Sequence, residues 1–126
     1  KAFDDFADMV RVPVLEDTVE ELLHEMGRAS EPVRVPNGSS DVGNVSYHCP
    51  AIQPLLTIGD TFYALHTPEF REETLKEPAH QAIADGGKLI GSLILRTLTD
   101  QSFRKRIYQS YLTQREKKLA PCPPQN

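Results

Sequence analysis

The sequence predicts an α/β protein in which short central strands are covered by amphipathic helices. Three observations predict it. Between Asn37 and Phe70 lie three apolar runs of strand length and strand composition, at residues 45–49, 55–58 and 62–65. On both sides the apolar residues recur at helical spacing. Two polar clusters, Gly38-Ser39-Ser40-Asp41 and His66-Thr67-Pro68, bracket the apolar runs. Open α/β sheets place their binding sites where buried strands end in such clusters.

Taken in order, Phe3, Phe6, Ala7 and Val10 show helical spacing but equally suit the tail of an upstream element. Val12-Pro13-Val14 reads as an extended link, because a proline pushes its predecessor out of the helical region. A helix is predicted next, with Asp17 as its cap and Glu20 three residues on. Leu15, Val19, Leu22, Leu23 and Met26 form its apolar stripe, and Gly27 ends it. His24 on that helix is read as a surface residue. Val33-Arg34-Val35 is a short strand held between Pro32 and Pro36, and Asn37-Gly38 is a turn.

Small side chains at residues 38–40 let the backbone approach a ligand. Asp41 suits a helix cap, and also a metal or a histidine partner. The run 55–58 has the composition of a strand buried on both faces. Thr67 and Pro68 fit the cap and first position of a short helical turn. The longest helix runs from about Pro78 to Leu98, with Ala79, Ala82, Ile83, Gly86, Ile90, Leu93, Ile94 and Thr97 on one face. Gly86 and Gly87 there are expected to allow close packing on a sheet. A last helix follows Asp100 and carries Phe103, Ile107 and Tyr111 on one side. Residues 120–126, rich in proline, read as a disordered tail.

At 126 residues the chain fits one domain, and 39% hydrophobic content places it among globular chains. A net charge of −4 argues against nucleic acid as a partner. Residues 4–25 hold eight acids and one base, and residues 104–118 six bases and one acid, which reads as two solvated helix faces. No apolar run approaches the roughly 18 residues of a membrane span. No signal peptide is evident at Lys1, a start that suits a processed chain or a piece of something larger. Cys49 and Cys122 do not make a disulfide framework, and a cytoplasmic setting is expected.

The motif inventory excludes several chemistries. None of the four histidines forms a tight ligand pair such as HExxH. His48 and Cys49 are adjacent, so on a strand they point to opposite faces and make poor joint ligands. A triad from Ser39 or Ser40, His66 and Asp41 lacks the GxSxG elbow.

The blocks GSSDVGNVSYHCPAIQPLLTIG, ALHTPEF and EPAHQAIADGGKLIGSLIL add a resemblance. Together they are similar to the carboxyl-terminal part of metal-dependent amidohydrolases, the aminoacylase and carboxypeptidase G-like metallopeptidases, in the aminobenzoyl-glutamate hydrolase branch. The resemblance covers roughly residues 33–99. It implies part of an α/β/α sandwich catalytic domain, incomplete on its own. Residues 1–14 would then be the end of a lid or linker, and 15–119 the carboxyl-terminal part of the catalytic domain. It implies His66 as a ligand of a divalent metal, zinc or manganese, and Ser39, Ser40, Asp41 and Asn44 as substrate-binding residues. The substrate implied is an N-acyl amino acid or a dipeptide-like amide. The family's catalytic glutamate and other ligands have no counterpart here, so no catalytic residue is assigned within the chain and a missing amino-terminal half is implied. The rival expectation is a non-catalytic module that pairs into a homo-oligomer, or binds a partner, through a sheet edge.

Overall fold

A computed structural model describes residues 6–30 and 40–120. Among them are five helices: α1 (Pro13–Glu25), α2 (Val42–Ser46), α3 (Pro68–Glu73), α4 (Glu77–Thr99) and α5 (Gln101–Leu119). No strand occurs among the described residues. This overturns the α/β expectation, including the sandwich implied by the resemblance. The strand expected at 33–35, the turn at Asn37-Gly38 and all of the 120–126 tail but residue 120, including Cys122, lie outside the described residues.

The three apolar runs fail as strands for local reasons. The first begins inside α2 and ends in the turn after it, where the hydrogen bonds Val45 N to Asp41 O (3.2 Å) and Cys49 N to Val45 O (3.1 Å) wind the backbone. Around the second, Ile52, Pro54, Leu56 and Ile58 are half-buried while Gln53, Leu55 and Thr57 are exposed. That is the period of an extended chain with one face covered. Its neighbours are helices, which offer side chains and no free backbone groups, so no ladder forms. Ile52 and Leu56 pack instead against the Val19, Leu23 and Leu89 cluster of α1 and α4. In the third run Phe62 and Leu65 are exposed.

α1 starts at Pro13 rather than at Asp17. Val12 takes the cap position and Pro13 the first turn, where its missing N–H costs nothing. The expected extended link is thus the opening of the helix, and Asp17 is an exposed residue within it. The far end closes as the sequence predicts. Gly27 has φ +75°, a left-handed conformation that suits glycine. Gly27 N donates to His24 O and Arg28 N to Leu23 O, both at 2.9 Å, satisfying two carbonyls that the helix leaves open.

α1, α4 and α5 pack on one another. One core cluster joins Val10, Val12 and Leu15 to Phe103, Ile107 and Tyr111, so the expected face of the last helix is the buried one. The second cluster joins α1 to Leu89 of α4, and Ile52 touches both. The core face of α4 differs from the expected one. Ala79, Ala82, Asp85 and Leu89 are buried, whereas Ile83, Ile90 and Ile94 are exposed. The apolar residues wrap more than half of α4, and only one side meets the core. Gly86 lies within reach of Leu56, and Gly87 faces open space rather than a sheet.

Asp100 links α4 to α5 without a loop. It ends the first helix and caps the second, its Oδ1 accepting from Phe103 N at 3.0 Å and from Ser102 Oγ at 2.6 Å. The Ser102 and Phe103 bonds hold the Asp100 carboxyl below its ordinary range. Arg104 donates to the carbonyls of Thr97 and Leu98 at the end of α4.

A part-buried charged contact fixes the segment that follows α1 to α4. Arg28 Nε donates to Asp85 Oδ2 at 2.8 Å, and Gln81 and Lys88 donate to Oδ1. Asp85 is 6% exposed. The Arg28 bond, then that of Gln81, holds the Asp85 carboxyl below its ordinary value of 3.8. A depressed carboxyl stabilises the fold above its unfolded pKa, and that contribution is lost as pH falls through the folded value. Thermal melts at stepped pH are therefore expected to show Tm falling as the pH drops below about 4. Asp85→Asn is expected to lower Tm at pH 7 and flatten that fall. Glu16→Gln, at the exposed Arg11 pair, is expected to change neither.

Candidate functional site

Ser40 and Asp41 lead into α2, whose placement follows from a close approach of two backbones. Gly43 sits so near residue Ala7 that an added Cβ would lie 1.9 Å from the Ala7 carbonyl oxygen. Ser46 Oγ, fully buried, donates to Gly43 O at 2.6 Å and accepts from Val10 N at 2.8 Å. Asn44 Oδ1 accepts from Ala7 N at 2.6 Å. α2 is thereby pinned to residues 7–10, which carry Val10 into the core.

This pinning divides the expected pocket residues by role. Ser40 accepts from Val42 N at 3.2 Å and stabilises the start of α2. Asp41 occupies the cap position, its side chain making no capping bond and standing exposed. Asn44 holds Ala7 while remaining exposed beside Tyr47 and His48 around a shallow concavity. Ser39 lies outside the described residues. His48 and Cys49, expected at strand positions, are exposed after α2, and Cys49 is a free thiol.

Tyr47 belongs to a network that has no local sequence signal. Its hydroxyl donates to Asp8 Oδ1 at 2.7 Å, and Lys118 at the end of α5 donates to Asp8 Oδ2. The Lys118 bond lowers the Asp8 carboxyl, and the Asp8 bond raises the Tyr47 phenol. Arg115 Nε donates to the Tyr47 carbonyl at 2.8 Å. The phenol is thus held protonated, a donor and not a base. The arrangement ties α5 to α2 and to the segment before α1.

His66 stands at the head of α3. Thr67 caps that helix by accepting from Phe70 N at 3.2 Å, and Pro68 opens it, as expected. Thr67 also donates to Ala64 O at 2.8 Å, closing the turn that contains His66. Within that turn His66 has φ +66° and is exposed. It is the only non-glycine residue with positive φ among the described residues. The left-handed conformation costs a residue with a Cβ about 1–2 kcal/mol, and such outliers cluster at functional positions. Spacing alone gives no sign of it, because histidine reaches this region without a characteristic neighbour.

α2 leans on residues 7–10 and α3 starts another segment, and neither belongs to the packed set α1, α4 and α5. Among the described residues, no three His, Cys, Asp or Glu side chains converge as a metal site. One imidazole does not hold a zinc or manganese ion, which needs three or four donors, so the described residues do not by themselves fit the metal centre implied for His66. No helix among the described residues is long and apolar enough to cross a membrane. The chain matches no protein family, and no curated protein matches it.

Proposed function

We propose that the chain is a carboxyl-terminal segment of a metal-dependent amidohydrolase acting on N-acyl amino acids or dipeptide-like amides. In this reading it contributes the His66 imidazole and the polar residues Ser40, Asp41 and Asn44, and the remaining metal donors and the base come from outside it. The observation that carries the reading is His66 itself, an exposed imidazole kept on a strained backbone by the Thr67 turn. Strain of that kind is tolerated where a side chain must be presented at a fixed place. The quoted sequence blocks supply the reaction class.

The chain alone, with N-acetyl amino acids and added zinc or manganese, is expected to show no metal-dependent hydrolysis. Joined to an amino-terminal half that carries the other metal ligands, it is expected to become active. His66→Ala in that assembly is expected to lose about 100-fold or more, since even a partner that only orients a metal ligand is worth 10–100-fold. His66→Gly is expected to be as inactive yet to fold more stably, by up to about 1 kcal/mol, because glycine relieves the left-handed strain. Full activity in His66→Ala overturns the assignment.

A further inference from the structure

The outer side of α4 is an apolar face that no other described element covers. Ile83, Ile90, Ile94, Leu95 and Leu98 are 74%, 57%, 54%, 63% and 71% exposed. At Gly87 and Gly91 an added Cβ would meet nothing within 4 Å. Charged residues of α4 between 80 and 98 are Asp85, Lys88 and Arg96. Asp85 is buried against Arg28, Arg96 reaches Glu21 of α1, and Lys88 lies at the rim.

The face has an internal order. Two rows of residues four apart follow one another along the face, Ile83-Gly87-Gly91 and Ile90-Ile94-Leu98, overlapping only at residues 90 and 91. The first is a groove in its middle and the second is a ridge, the shapes that helices use to interlock. The rows are related by reversal about a point between residues 90 and 91. Turning a second copy antiparallel sets Ile94 level with Gly87 and Leu98 level with Ile83, while Ile90 meets its own copy beside the axis. Ile94 of each copy then meets a glycine.

We propose that this face of α4 docks a second copy of the chain, antiparallel, about a two-fold axis between residues 90 and 91. Such an interface is isologous, each contact occurring twice. The five aliphatic side chains expose on the order of 500 Å² per copy, a ceiling of about 1,000 Å² in total, which is the size of a weak, transient pairing. The centre of the pair holds no charge, as the core of such interfaces requires. The pairing rests on α4 alone and does not depend on the hydrolase reading.

Sedimentation equilibrium of the full 126-residue chain at micromolar to 100 μM concentration is expected to show a monomer–dimer equilibrium. Ile94→Glu, at an exposed site, is expected to keep the helical circular dichroism and Tm of the monomer and to weaken dimerisation at least tenfold. Register is read by cross-linking in a background with Cys49→Ser and Cys122→Ser. Mixed Ile83→Cys and Leu98→Cys chains are expected to form a disulfide-linked heterodimer, while Ile83→Cys chains alone, about 22 Å apart across the axis, are not. A monomer at every concentration, a dimer indifferent to Ile94→Glu, or efficient Ile83→Cys self-linking overturns the proposal.

Discussion

Phe103→Ala is expected to be the most damaging single truncation in the chain. Phe103 is 0% exposed and joins α5 to Val10, Val12 and Leu15. Its ring also lies under the Arg96 guanidinium, 4.7 Å from the centroid, and near that of Arg106 at 5.7 Å. Removing a buried phenylalanine costs about 3–5 kcal/mol in lost transfer energy and cavity. A chain of this size has a total stability of roughly 6–19 kcal/mol, so the loss is a large fraction of the whole. Urea denaturation is expected to show the midpoint shift, and Tm is expected to fall by roughly 10–25 °C. Phe103→Leu, which keeps most of the volume, is expected to lose less than half as much. Equal losses in the two variants would mean that the ring's electrostatic contacts with the two arginines outweigh its packing.

Gly43→Ala is expected to destabilise although it introduces a better helix former. Alanine in place of glycine within an exposed helix gains about 1 kcal/mol. Here the added methyl would lie 1.9 Å from the Ala7 carbonyl oxygen and 3.0 Å from its carbon, and both are backbone atoms. Backbone does not yield as a flexible side-chain tip does, so residues 7–10 must move off α2. The move strains the Asn44 bond to Ala7 N and the Ser46 bond to Val10 N, a cost of about 1–3 kcal/mol as in other overpacked sites. Gly86→Ala is the control. Its Cβ meets only the tip of Leu56 at 3.4 Å, so the helix-forming gain is expected to survive. The sign difference between the two variants, measured by urea denaturation, tests the close approach at Gly43.

The helices were legible where the signal was local. The stop at Gly27, the Thr67-Pro68 start, the Asp100 start and the Phe103-Ile107-Tyr111 face all depend on residues within a few positions of each other. The runs at 45–49, 55–58 and 62–65 misled because β-favouring composition describes a preference that only a partner strand can satisfy. The face of α4 misled for a related reason. Its apolar residues cover so much of the surface that spacing does not say which part meets the core, and the buried Asp85 depends on Arg28, 57 residues away. The same limit applies to the candidate site. Asp41 takes the position of the expected cap without making a capping bond, and the anchoring of Asn44 to Ala7 and the strained backbone of His66 arise from contacts and turns that no short motif encodes.

The missing loop at Asp100 has a mechanical consequence. With a single residue serving as the last of one rod and the first of the next, no slack separates them. Phe103 lies only three positions beyond that elbow and reaches the core, while Leu98 lies two positions before it and faces outward. A twist imposed on the outer surface of α4 is therefore delivered, through a very short lever, to the centre of the molecule.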